Sequence, residues 1–173
     1  GKITVETILQ FYTPGNVNHG GAFYFLDSNH KPIFGLVMRN TSNGYRIAKA
    51  SSFPGYQTDM AYPSSDNPLM VVSPTAKLTA VLDMTAKTYS YNLVSGTFDN
   101  TTRVFTPGTT SINLTGVAFL DNTASDFGGF QSNFFKNSGY GLSGTVGYDL
   151  MYMGISWEES TDPVISSSIS SNE

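Results

Sequence analysis

The sequence predicts an all-β fold, a sandwich or barrel of antiparallel strands. Runs of alternating apolar and polar residues recur along the chain, and turn signals separate them at intervals of roughly 8–12 residues. No stretch carries the helical period of roughly 3.6 residues. The clearest run is LTAVLDMTAKTYSYNLVSG, from Leu78 to Gly96. Leu78, Ala80 and Leu82 alternate before a polar connection, and Tyr89, Tyr91 and Leu93 alternate after it. That pattern is a half-buried antiparallel hairpin, with one face for a core and one free to meet a ligand. It points to surface recognition rather than catalysis.

The other elements follow in order. Ile3, Val5, Leu9 and Phe11 mark an opening strand, and the break in alternation at Thr7–Ile8 suggests a bulge. TPGNVNHGG is a loop, and GAFYFLD at 21–27 is a second strand. Asp27-Ser28-Asn29-His30 has turn chemistry. Ile33–Asn40 returns as a third strand, Thr41–Gly44 turns again, and Tyr45–Ala50 is a fourth. Residues 51–76 hold Pro54, Pro63, Pro68 and Pro74 and are expected to be mostly loop. Phe98–Phe105 and Ile112–Leu120 are expected as strands separated by a TPGTT turn. Residues 121–147 form a long glycine-rich, aromatic connection, and Asp149–Trp157 is the last strand.

With 173 residues, one domain is expected. It spans 1–158, and the Ser-rich 159–173 is expected as a linker or tail. Gly1 runs directly into a strand, so the chain reads as a module cut from a longer one. Charged residues are only 13% of the chain, about half the usual share. Ser, Thr, Asn and Gly must therefore supply the polar surface. That surface suits an uncharged hydrogen-bonding partner, or it simply accompanies an all-β composition. A net charge of −4 argues against nucleic acid, which is bound through clustered Lys and Arg. Cysteine is absent, which excludes disulfides, thiolate metal sites and cysteine nucleophiles. No apolar run approaches a membrane span, and no signal peptide is visible.

GAFYFLDSNHKPIFGLVMRN, then KLTAVLDMTAKTYSYNLVSG, then a final strand ending in an aromatic residue resembles the concanavalin A-like (laminin G-like) jelly-roll modules. The resemblance covers most of residues 2–157. It implies an antiparallel β-sandwich of jelly-roll type, secreted and extracellular, that binds glycans on a concave face or at an edge. In bacterial secreted enzymes such modules act as carbohydrate-binding modules beside a catalytic domain, sometimes with a structural calcium ion. This chain departs from many members where the return hairpin ends. Val94-Ser95-Gly96 stands there in place of an Asn-Gly-like turn.

A pyranose offers an apolar face for aromatic stacking and a rim of hydroxyls for amides, carboxylates or guanidinium groups. Three regions combine such groups. Phe34, Leu36 and Met38 are expected to face the core, which turns Val37 and Arg39 the other way, with Tyr45 and Arg46 just past the turn. These arginines are candidate ligands, or they cover a solvated face. The loop 53–69 carries Tyr56 and Tyr62 among Gln57, Asp59, Asp66 and Asn67. Its tyrosines either bind ligand or staple the loop to the sandwich. Region 121–147 holds Asp121, Asp126, Phe127, Phe130, Phe134, Phe135 and Tyr140. Five aromatics there cannot all be solvated, so most are expected to plug one end of the fold. Trp157, the only tryptophan, alternates with Met151, Met153 and Ile155. It is expected in the core or at an edge, with a sugar platform at the edge as the alternative. Tyr89 and Tyr91 are expected in the core.

Metal chemistry has little support. His19 and His30 lie in loops without ligand spacing, and no EF-hand spacing is present, although separated loops could still supply oxygen ligands to calcium. No cofactor is expected. Catalysis is not expected either. Glu6, Glu158, Glu159 and Glu173 are the only glutamates, no Glu-x-Asp-x-x-Glu run occurs, and no nucleophile elbow is present. The expected function is a noncatalytic carbohydrate-binding module that targets an attached enzyme to plant cell-wall polysaccharide. A cell-surface adhesion or protein-interaction domain and a small glycosidase or lyase are the alternatives.

Overall fold

The computed structural model describes residues 1–12, 20–41, 44–53, 69–71, 75–135 and 147–158. Ten strands cross them: β1 (Lys2–Tyr12), β2 (Gly20–Leu26), β3 (Pro32–Thr41), β4 (Gly44–Lys49), β5 (Leu69–Val71), β6 (Thr75–Asp83), β7 (Thr88–Asp99), β8 (Val104–Ala118), β9 (Gly129–Phe135) and β10 (Gly147–Trp157). They form two five-stranded sheets, ordered β10-β1-β6-β7-β8 and β5-β4-β3-β2-β9. Every pairing is antiparallel. The fold is a β-sandwich. Its outer pairs, β1 with β10 and β2 with β9, join early strands to late ones as a jelly roll does, while β2–β5 and β6–β8 run as meanders.

Strict alternation explains the layers. On β6 and β7, Leu78, Ala80, Leu82, Tyr89, Tyr91 and Leu93 are all buried, while the residues between them are half exposed. Burying a large apolar side chain is worth roughly 1.5–3 kcal/mol, and a one-residue slip would turn the whole set to water. Facing them, Phe25, Phe34, Leu36 and Met38 come from β2 and β3. Val37 lies on the opposite face of β3, as the alternation requires. Thr7 sits on the inner face between Val5 and Leu9, fully buried, and the β1–β10 register shifts at Ile8/Leu9, where the sequence suggested a bulge.

The outer face of the second sheet is also closed. Ala22, Tyr24, Leu26, Val37 and Ala50 form a second buried cluster, flanked by Phe53 and Leu120. The Tyr24 ring lies directly over Gly35, where any side chain would collide with it.

Turns are held by aspartates. Asp83 Oδ1 accepts N–H groups from Thr85 and Ala86, and Asp99 Oδ1 accepts those of Thr101 and Thr102. The Asp27 Oδ1 atom accepts from Asn29 and Lys31, so Asp27-Ser28-Asn29 is a turn, and the positive φ of His30 completes it. Asp126 takes both the amide and the hydroxyl of Ser28, which ties the 121–128 segment to that turn.

Four expectations are corrected. Phe98–Phe105 is not one strand, because the Asp99-capped turn at 100–103 divides it, with Arg103 at φ 61°. TPGTT is not a turn, since Thr106–Thr110 runs inside β8 with Pro107 opposite Gly96. Val94-Ser95-Gly96 is not the hairpin's end. It is a register shift inside β7, and the turn lies at Met84–Lys87, with Lys87 at φ 55°. Region 121–147 is not all connection, because β9 adds to β2 there. A short β5 lies inside the proline-rich 51–76, most of which falls outside the described residues.

The Thr7 hydroxyl is buried without a hydrogen-bond partner. Thr7→Val keeps the shape and removes the stranded oxygen. It should raise stability by about 1 kcal/mol, seen as a Tm rise of about 2–4 °C for a chain of this size. A lower Tm would show that the hydroxyl is satisfied.

Hydrogen bonds to the carboxylates hold Asp83, Asp99, Asp121 and Asp126 below the ordinary aspartate range. The largest contributions are the Ala86 N–H, the Thr102 N–H, the Thr123 hydroxyl and the Ser28 hydroxyl, in that order of residues. A depressed folded value stabilises the protein above the unfolded value of 3.8 and is lost as pH falls through the folded one. Thermal melts should therefore hold steady down to about pH 5 and fall below about pH 4, with a shallower fall in Asp99→Asn.

Candidate functional site

The outer face of the first sheet holds the site. Because Val5, Leu78, Ala80, Tyr91 and Leu93 point inward, their neighbours Glu6, Lys77, Thr79, Asn92 and Val94 point outward. Register places Glu6 opposite Thr79, Thr79 opposite Asn92, and Asn92 opposite Asn113, so polar side chains form one row across the strands. A second row holds Ile8, Lys77 and Val94.

Beyond Ser95, β7 pairs only with β8, because β6 begins at Thr75. The projecting end of this hairpin walls the face. Phe98, Phe105, Pro107 and Arg103 join the two rows, Asn113 excepted, to line a trough of about 640 Å³. Gly96 makes the wall, since a side chain there would meet the Phe105 ring and the Thr106 carbonyl. Gly108 packs on the Ser95 carbonyl, and the Ser95 hydroxyl donates to Thr110 O at 3.2 Å. These contacts pin the bend.

Charge within the trough is largely internal. Lys77 Nζ lies 3.3 Å from Glu6 Oε1, and the Thr79 hydroxyl donates to the same oxygen at 3.1 Å. Asn92 Nδ2 donates to Asn113 Oδ1 at 2.6 Å, which leaves the Asn92 carbonyl oxygen directed to other partners. The Arg103 guanidinium stands 5.4 Å from the Phe98 ring centre, a cation–π contact at the wall. The trough therefore offers the Asn92 amide, a hydroxyl, a carboxylate, the Lys77 and Arg103 cations and aromatic edges, with one net positive charge.

A second hollow of about 710 Å³ lies at one end of the sandwich, between Ser51–Phe53 and Ala118–Asn122. It lacks the convergence of several strands, and Asp121 Oδ1 there is already held by Thr123 at 2.6 Å.

The residues expected from the sequence fall differently. Tyr56, Asp59, Tyr62 and Asn67 lie outside the described residues, as does Tyr140. Arg39, Tyr45 and Arg46 are placed by backbone alone, with Arg39 opposite Arg46 and Asn40 opposite Tyr45, in the second sheet and away from the trough. Trp157 is no core residue. It pairs with Ile3 at the end of edge strand β10 and is 73% exposed, beside Ile155 at 44%. Both share the inward face with Met153, where the facing sheet does not cover them. Phe127 packs against the core as a plug residue. Phe130 stacks on Phe23 at 5.0 Å yet stays 45% exposed. The aromatic-rich loops do not mark the trough residues, which lie on strands. The alternation of Lys77, Thr79, Asn92 and Val94 was the available signal. Among the described residues, no group of three His, Cys, Asp or Glu side chains is placed to hold a metal. No described helix is long and apolar enough to cross a membrane.

No protein-family model matches the chain, and no curated protein matches it.

Gly96→Ala should strain the bend at the trough wall. Overpacking of this kind costs about 1–3 kcal/mol, so Tm should fall by several degrees. An unchanged Tm would mean that Phe105 does not lie across Gly96.

Proposed function

We propose that the chain is a noncatalytic carbohydrate-binding module whose site is the trough on the first sheet. The observation that carries this is the row Glu6–Thr79–Asn92, a hydrogen-bonding strip whose carboxylate is paired with Lys77 and which is walled by Phe98 and Phe105. Sugar hydroxyls pair with its amides and oxygens, and the C–H faces of the rings lie against the aromatic wall. Glu6 and Lys77 cancel within the site and Arg103 at the wall leaves one positive charge, so the preference for a neutral glycan rests on the low charge of the whole chain. The sequence resemblance to concanavalin A-like modules supports the same assignment. It extends to secretion, to plant cell-wall polysaccharide as the target and to a catalytic domain in the same longer chain. Binding would then raise that enzyme's local concentration at an insoluble substrate.

An adhesion or protein-interaction role draws on a different observation, the exposed Ile155 and Trp157 on edge strand β10.

Affinity electrophoresis in gels containing neutral plant-wall polysaccharides tests both. The protein should be retarded. Asn92→Ala and Phe105→Ala should each weaken retardation about tenfold or more while folded, and Trp157→Ala should leave it intact. Loss only in Trp157→Ala would move the site to the edge. No retardation by any polysaccharide would favour the interaction role.

A further inference from the structure

We infer that Arg103 reads a carboxylate on the ligand, so that the glycan is a neutral main chain carrying uronic-acid branches at intervals. This rests on the saccharide assignment of the trough. Three of the residues that line the trough are charged: Glu6, Lys77 and Arg103. Lys77 Nζ stands 3.3 Å from Glu6 Oε1, and the two come from the adjacent strands β1 and β6. Arg103 stands apart from that pair. It closes the turn at the far end of the β7–β8 hairpin, beyond the last residue that β6 pairs with, and it is exposed. It gives the trough one net positive charge on a chain whose net charge is −4.

The backbone at Arg103 is an independent observation. Its φ is 61°, in the left-handed region where side chains are disfavoured and glycine or asparagine is the usual occupant. The turn does not call for an arginine. The Arg103 N–H donates to Asp99 O at 2.8 Å, and Asp99 Oδ1 accepts the N–H groups of Thr101 and Thr102 at 2.7 and 3.1 Å. A glycine at 103 would keep all three bonds and relieve the strain. Strain of this kind collects where a side chain serves a site. Here the guanidinium carbon lies 5.4 Å from the centre of the Phe98 ring, in the aromatic wall itself. A guanidinium can stack by its face and still donate from its edge, and its paired N–H groups match a carboxylate. The Thr79 hydroxyl and the Asn92 amide suit neutral sugars. A polymer charged at every unit would meet Glu6 and a chain that is negative overall. One carboxylate at the hairpin end is the anion that this charge distribution accepts.

The test titrates the protein by calorimetry with glucuronoxylan and with the same polymer after its carboxylates have been reduced to alcohols. The acidic form should bind about tenfold more tightly at low salt, and the gap should narrow as the ionic strength rises towards about 0.5 M. Arg103→Gly should bring the ratio of the two affinities to about one, and its Tm should equal or exceed that of the wild type. Arg103→Lys, which keeps the charge and loses the fork, should retain a smaller preference. Equal wild-type binding of both forms, or an undiminished preference in Arg103→Gly, overturns the role of Arg103 and leaves the saccharide assignment standing. A lower Tm in Arg103→Gly overturns the argument from strain, since the arginine would then be holding the turn. Absence of binding to both forms and to every neutral polysaccharide overturns the saccharide assignment as well.

Discussion

Phe34 lies between Phe25, at 4.3 Å in its own sheet, and Tyr89, at 4.8 Å in the facing sheet. This aromatic stack joins the two layers. The rings are nearly parallel, and Tyr91 continues the series beside Tyr89 at 6.2 Å. Large flat groups bury much apolar area at low cost in side-chain freedom. Once they interlock, the inner faces of β3 and β7 are fixed. With period-two alternation, the outer faces are fixed as well. Glu6, Thr79, Asn92 and Asn113 look outward because Val5, Ala80 and Tyr91 cannot.

The two sheets use their outer faces differently. In the second sheet the central positions are Ala22, Tyr24 and Val37, which are apolar and buried in a second cluster with Leu26 and Ala50, against which Phe53 and Leu120 pack. In the first sheet Glu6, Lys77, Thr79 and Asn92 occupy such positions, polar and half exposed, with the apolar Val81 and Val94 between them. Burial of unpaired amides would cost more than it gains, so this face stays wet. The bend at Gly96 then adds an aromatic wall to what would otherwise be a flat polar sheet. A flat face binds weakly because it excludes little water. A walled one brings apolar and polar contacts to bear on the same ligand.

The edge strand β10 presents a separate chemistry. Ile155 and Trp157 occupy inward-facing positions at its far end, yet the second sheet does not reach over them. Alternation alone assigns such residues to the core. It reports which face a side chain takes and carries no information on whether another layer covers that face.

The sequence by itself determined the all-β class, the hairpin of β6 and β7, the inward tyrosines and the bulge in β1. Each of these follows from local alternation and turn chemistry, which operate between near neighbours. Register, layer overlap and the bend of β7 against β8 were decided only by the tertiary structure. The glycine at 96 and the proline at 107 resemble turn signals in isolation, and only their cross-strand pairing shows that the strand passes through them. The trough was hidden for the same reason. Its residues come from four separate stretches of chain, and each looks like ordinary solvated surface until pairing sets Glu6, Thr79 and Asn92 side by side and Phe105 opposite Phe98.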